Sequence, residues 1–162
     1  EKNPFDFELK YRPGEGIKRF LAGTPPILAL KTIEPTVDML NEAGMDMIRK
    51  KSVSQSEYLL RLADKFLYPL GFQSGSPVDP EKRGSHVSLR HPEAYRICKA
   101  LIDPEVGENV VIPDFREPDN IRLGITPLYT TYTEIFMAIR EIRDIVENKL
   151  YLKYSVKKEQ VT

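Results

Sequence analysis

Apolar residues recur at helical spacing in some stretches of this chain and alternate in others, and that rhythm lays out the elements. Ile27, Leu30 and Ile33 fall three apart, and Pro26 suits the first helical turn, where its missing N–H costs nothing. Pro35 breaks or restarts this helix; Val37, Leu40 and Ala43 carry the spacing on to Gly44, a second break. Ile48, Tyr58, Leu59, Leu62, Ala63, Phe66 and Leu67 then outline a long helix that ends before Pro69 and Gly71. Its basic start, Arg49-Lys50-Lys51-Ser52, reads as a solvated face.

From Gly71 to Gly84 the pattern predicts a loop with one short strand at Phe72–Gln73. His86-Val-Ser-Leu-Arg90 alternates cleanly, with Val87 and Leu89 on one face and His86, Ser88 and Arg90 on the other. Pro92 opens a helix carrying Ala94, Tyr95, Ile97, Cys98 and Leu101. Asn109-Val-Val-Ile112 reads as a buried strand, and Ile121-Arg-Leu-Gly-Ile125 as an alternating one. Thr131 and Glu134 stand at capping-box spacing before a last helix striped by Ile135, Ile139, Ile142 and Val146. The sum is an α+β pattern: a small antiparallel or mixed sheet of three to four strands, backed by helices on one face.

Residues 1–26 differ in kind. Pro4, Pro13, Gly14, Gly16, Gly23, Pro25 and Pro26 mark an extended, turn-rich segment, in which Phe5, Phe7 and Leu9 briefly alternate. Everything before about residue 45 looks as if it belongs to another body. The chain opens on Glu-Lys-Asn, with no initiator Met and no apolar leader, which reads as a processed chain or a piece of a longer one.

Composition narrows the function classes. In 162 residues, 24 Lys and Arg balance 24 Asp and Glu, so no chain-wide basic field recruits nucleic acid or anionic lipid. No apolar run is long enough to cross a bilayer. Cys98 is the sole cysteine, which excludes an intramolecular disulfide and a cysteine zinc cluster and fits a reducing cytosol. His86 and His91 adjoin no Gly-x-Ser-x-Gly turn and no carboxylate pair at ligand spacing, so neither a catalytic triad nor a metal is expected. Phosphate-cradling glycine motifs are missing as well.

Three clusters remain. In Gly23-Thr-Pro-Pro26, Thr24 either caps the following helix or offers its hydroxyl to an anion, since two prolines remove amide donors there. In Asp114-Phe-Arg-Glu-Pro-Asp-Asn-Ile-Arg122-Leu-Gly124, Arg122 points away from the core beside bare Gly124. It suits a two-pronged grip on a carboxylate, or else it is a surface arginine paired with Asp119 or Glu117. In Arg83–His91, the face of His86, Ser88 and Arg90 either lines a cleft or is merely solvated.

These residues resemble kynureninase. The resemblance rests on Arg12-Pro-Gly-Glu-Gly-Ile-Lys-Arg-Phe-Leu-Ala-Gly-Thr-Pro-Pro-Ile-Leu28, Ala43-Gly-Met45, Arg49-Lys-Lys-Ser52 and Arg83-Gly-Ser-His-Val-Ser-Leu89. Asp114-Phe-Arg116 with Pro118, and Ile121-Arg122 leading to Pro127-Leu-Tyr129, complete the ordered set. The match runs to about residue 150 and concerns only the C-terminal part of that enzyme.

The resemblance implies a fold-type-I enzyme dependent on pyridoxal 5′-phosphate (PLP), acting as a cytoplasmic homodimer in tryptophan catabolism and NAD biosynthesis. Its expected reaction is hydrolysis of L-kynurenine to anthranilate and L-alanine, with 3-hydroxykynurenine as a second candidate substrate. Thr24 matches a position that reaches the cofactor from the neighbouring subunit, and Arg122 matches the arginine that binds the substrate α-carboxylate. The cofactor-bearing lysine lies upstream in the family, so no lysine here takes that role, no catalytic residue is assigned in this chain, and the chain alone is expected to be inactive. Residues 1–44 would belong to or pack on a large PLP-binding domain, 45–154 would form the small α+β domain, and 155–162 a frayed tail. A cysteine desulfurase-like or aminotransferase-like enzyme, or a non-catalytic interaction module, remains the alternative.

Overall fold

Proline and glycine set the helix boundaries where the spacing predicts. Helices α1 (Ile27–Lys31), α2 (Glu34–Ala43) and α3 (Met45–Phe66) follow one another, with Pro35 in the first turn of α2. Gly44 separates α2 from α3 at φ 75°, a left-handed conformation that a side chain would strain. The computed structural model describes residues 9–21 and 23–157, so Phe5, Phe7 and most of the tail at 155–162 lie outside the described residues.

The chain divides into two units, Glu1–Glu42 and Ala43–Thr162. In the first, a 3-10 turn at Gly16–Phe20 precedes α1 and α2. Gly14 is its one buried position among the described residues. The apolar stripe is uncovered: Ile17, Phe20, Ile27, Leu30, Ile33 and Val37 are all exposed, and Leu28 is 85% exposed. Helices this short do not hold themselves together in water without packing of an apolar face.

The second unit carries the sheet. Strands β1 (Gln73–Ser74), β2 (His86–Arg90), β3 (Asp114–Arg116) and β4 (Asn120–Gly124) lie in the order β1-β2-β4-β3, every neighbour antiparallel. The outer strands are two and three residues long. Helices α3, α4 (Ala94–Ile102) and α5 (Tyr132–Glu147) cover one face. Alternation decides which side chains they meet: Val87, Leu89, Ile121 and Leu123 are buried against Ile97 and Leu101 of α4, Ile139 and Ile142 of α5, and Leu59 and Ala63 of α3. Each large aliphatic side chain so buried contributes about 1.5–3 kcal/mol relative to exposure. Thr131 caps α5 by accepting from the Glu134 amide at 3.2 Å, while the Glu134 carboxylate accepts from the Thr131 amide at 2.7 Å.

The segment at residues 150–154 is clasped onto α4 and the turn after it. Tyr154 donates its hydroxyl to Asp103 at 2.6 Å, and Arg96 donates to the Tyr154 carbonyl at 2.8 Å and the Leu152 carbonyl at 2.9 Å. The Tyr154 hydrogen bond, helped by the Glu105 amide and Lys153, holds the Asp103 carboxyl down at about 2. Burial and the Asp103 charge push the Tyr154 phenol up to about 12. No helix among the described residues is long and apolar enough to cross a membrane.

Two expectations need correction. Asn109–Ile112 is a loop, not a buried strand: Val110 is half exposed and Ile112 is 84% exposed. The buried Glu141 carboxylate accepts from the Asn109 amide at 3.2 Å, and the Val111 amide donates to the Leu101 carbonyl at 2.9 Å. Those bonds tie the segment to α5 and the end of α4, and the strand begins only after Pro113. Nor is the basic start of α3 merely solvated. Arg49 donates to the Arg83 carbonyl at 3.3 Å and to the Pro80 carbonyl, Lys51 donates to the Pro127 carbonyl at 2.5 Å, and Ser52 is buried.

The Arg83–His91 segment is likewise structural at both ends. Buried Arg83 donates to Ser56 Oγ at 3.2 Å, to the Pro77 carbonyl at 3.1 Å and to the Val78 carbonyl, fastening the loop before β2 onto α3. His91 is 9% exposed and packs on Phe72 with ring centres 4.6 Å apart. Its Nδ1 accepts from the Glu93 amide at 3.0 Å, where an imidazolium would have no lone pair to offer. Burial is the main cause that lowers the His91 pKa below its ordinary 6.5, against opposing contributions from the Leu70 carbonyl and Glu93.

Two outcomes follow for stability. Thr131→Ala removes the α5 cap and should cost about 1 kcal/mol in urea unfolding. Because His91 binds a proton more readily unfolded than folded, its contribution is complete above its ordinary pKa of 6.5 and is lost as pH falls below that value. The urea midpoint should drop across that window in the wild-type chain, and the drop should be shallower in His91→Gln.

Candidate functional site

Within the second unit α3, α4 and α5 cover one face of the sheet, and the residues that alternate away from them share the other: His86, Ser88 and Arg90 from β2, Asn120, Arg122 and Gly124 from β4, and Asp114 and Arg116 from β3. Register orders them into rows. Ser88 and Asp114 flank Arg122 on either side, and Arg90 and Arg116 flank Asn120.

The rows are cross-linked by polar contacts. Arg90 forks onto Asp119, Nε to Oδ1 at 3.0 Å and Nη2 to Oδ2 at 2.9 Å. That pairing accounts for Asp119, one of the acids considered as a partner for Arg122. Ser88 donates to Asn120 Oδ1 at 2.9 Å. A Cβ on Gly75 would lie 2.9 Å from that same oxygen, so the chain at this edge packs closely over the Ser88–Asn120 end.

The Arg122 end stays open. A Cβ on Gly124 would meet nothing within 4 Å, and the Arg122 side chain is 36% exposed. Arg122 Nη2 donates to Asp114 Oδ2, the same oxygen that accepts from Arg116 Nε at 2.9 Å. Burial acts to raise the Asp114 pKa, but the hydrogen bonds and charges of Arg116 and Arg122 outweigh it and hold the carboxyl below its ordinary range. Among the described residues these two guanidinium groups share one carboxylate, which leaves positive charge in excess at this end of the face. Such a spot attracts a second carboxylate.

Sequence reasoning placed Arg122 and Gly124 on one face but missed Asp114 as the partner. The signal available was the i, i+2 pair Asp114 and Arg116 on one strand, legible only once Asn109–Ile112 is set aside as the strand. Past Gly124 the end of β4 borders a pocket of about 380 Å3 whose lining includes Asn109, Ile112, Thr130, Glu134 and Met137. No group of three or more His, Cys, Asp and Glu side chains among the described residues could hold a metal ion.

Thr24 lies in the first unit and is exposed. It does not cap α1. Pro26 holds the N-cap position without a side-chain hydrogen bond, because the helix starts one residue beyond the prolines. The Thr24 hydroxyl therefore faces solvent with no capping duty.

Comparison with known proteins identifies the family of the chain. Residues 48–142, the span from α3 into α5, match the model of the kynureninase C-terminal domain. Kynureninase from Geobacillus thermodenitrificans is 39% identical over 157 residues, which is 97% of this chain and 36% of that protein. Kynureninase from Bacillus thuringiensis subsp. konkukian is 36% identical over the same length, and that from Pseudomonas fluorescens 37% identical over 147 residues, 91% of this chain and 34% of that protein. The chain thus spans about a third of the length of these relatives. With a family domain matched across more than half its residues, on the sheet that carries Arg122, the chain belongs to the kynureninase family.

Proposed function

We propose that the chain is the C-terminal part of a PLP-dependent hydrolase that cleaves the Cβ–Cγ bond of L-kynurenine to give anthranilate and L-alanine, with 3-hydroxykynurenine as a second substrate. In this reading Arg122 binds the substrate α-carboxylate. The observation that carries it is the Arg122 guanidinium on the uncovered face of the sheet, beside the open space at Gly124, in a cluster with one positive charge to spare.

A carboxylate gripped by two parallel N–H donors cannot rotate about its own axis. Arg122 would therefore fix the direction of every bond at the substrate α-carbon and convert binding energy into geometry. Lysine, with a point charge on a flexible stem, cannot do this.

PLP, when bound, supplies the electron sink that stabilises negative charge at the α-carbon. Thr24 fits one contact to it: the hydroxyl is exposed, does not cap α1, and can donate to a phosphate oxygen, whereas Pro25 and Pro26 offer no amides. The family resemblance brings that contact from the neighbouring subunit of a cytoplasmic homodimer. Residues 1–44 would pack on the large cofactor-binding domain, a role supported by the uncovered stripe of Ile27, Leu30, Ile33 and Val37.

Two experiments bear on this reading. In the whole enzyme, Arg122→Lys should lower kcat/KM for kynurenine roughly ten- to a hundredfold, followed by anthranilate fluorescence, since a hydrogen bond to a charged group is worth about 1.5–3 kcal/mol. Unchanged kinetics would remove Arg122 from the site. The chain by itself, mixed with PLP and treated with borohydride, should yield no stoichiometric trapped adduct and no turnover; trapping at a single lysine would sink the assignment of the cofactor-bearing residue to another part of the protein.

A further inference from the structure

The Asp114-Phe-Arg116 segment forms the outer strand beside β4. Phe115 packs edge-to-face on Tyr95 of α4, ring centres 5.4 Å apart, so strand alternation turns Asp114 and Arg116 to the opposite face. Asp114 stands in register opposite Arg122 on the adjacent strand, and its Oδ2 receives the Arg122 Nη2 hydrogen bond. Arg116 Nε donates to that same oxygen at 2.9 Å. Among the described residues Asp114 is the only acid that Arg122 touches.

We propose that Asp114 is a positioning residue for substrate binding: it anchors the Arg122 guanidinium at one nitrogen, so that the remaining N–H groups are presented, already oriented, to the α-carboxylate of an amino-acid substrate. The proposal rests on the reading of Arg122 given above.

The chemistry favours an anchor over a competitor. Arg122 carries five N–H donors, and a single-oxygen contact to Nη2 leaves the rest for a ligand. Arg116 shares the Asp114 oxygen that Arg122 holds, so Asp114 meets the Arg122 fork through one oxygen alone. A long, many-rotamer side chain 36% exposed would otherwise lose its freedom only on binding, and the substrate would bear that entropy. Asp114 takes the loss in advance, while Arg116 offsets the charge that Asp114 would cancel.

Kinetics of the whole enzyme test this. Asp114→Ala should raise KM for kynurenine about three- to tenfold, the cost of ordering one released arginine, with a smaller change in kcat. Asp114→Asn, which keeps an acceptor oxygen toward Arg122, should recover most of that loss. The inhibition constant of 2′-aminoacetophenone, an aryl ketone without the amino-acid end, should be the same in Asp114→Ala and wild type. In an Arg122→Lys background, Asp114→Ala should add nothing further. An Asp114→Ala enzyme with unchanged or lowered KM, alongside an impaired Arg122→Lys, overturns the anchor and leaves the Arg122 reading intact. Equal weakening of kynurenine and the aryl ketone also overturns it, since that marks general damage to the domain. Wild-type KM in Arg122→Lys overturns the carboxylate grip and the anchor together.

Discussion

Three helices press on one face of a four-stranded sheet, and that one-sided burial governs the rest of the second unit. An antiparallel strand sends successive side chains to opposite faces. Once Val87, Leu89, Ile121 and Leu123 are committed to the helices, Ser88, Arg90, Asn120 and Arg122 must share the other face. A slip of one residue in β4 would drive the Arg122 guanidinium into the aliphatic core and expose Ile121 and Leu123, which forfeits several kcal/mol of burial and strands a charge. The face of the sheet from which Arg122 projects is thus as firmly fixed as the core itself.

What the open face offers is shaped by unequal pairing. Arg90 and Asp119 satisfy each other through two parallel hydrogen bonds, so that corner is electrically quiet. Arg116 and Arg122 divide one carboxylate oxygen, and that corner keeps positive charge. Exposed ion pairs contribute little to folding, which leaves this cluster free to be arranged for a ligand without cost to the core. The buried polar groups do the opposite work: Arg83, Glu141 and His91 each fasten a loop to a helix or to the chain turn that opens one.

Much of this was legible in the sequence because local chemistry and tertiary packing agree. Thr131 and Glu134 at capping spacing, Pro35 and Gly44 as helix breaks, and the alternation in His86–Arg90 and Ile121–Ile125 all describe what the backbone does. The failures are places where long-range contacts decide. Val110, Val111 and Ile112 are β-branched, yet Glu141 and the end of α4 take the hydrogen bonds a strand would need. Arg49 and Lys51 carry charges that look solvent-bound, yet their heads find backbone carbonyls from loops 31 and 76 residues away. Asp114 as the partner of Arg122 depends on the pairing of β3 with β4, of which the i, i+2 spacing of Asp114 and Arg116 marks only the strand and not its neighbour.

The brevity of the two outer strands has a consequence of its own. A sheet with one bare face and unsatisfied amides along its rims invites other chains to add on. Here β1 spans two residues and β3 three, Pro113 stands just before β3, and Arg116 ends it. Neither rim offers a run of backbone donors long enough to template a guest strand. The second unit can therefore leave the Arg122 face of its sheet undressed without seeding edge-to-edge polymerisation.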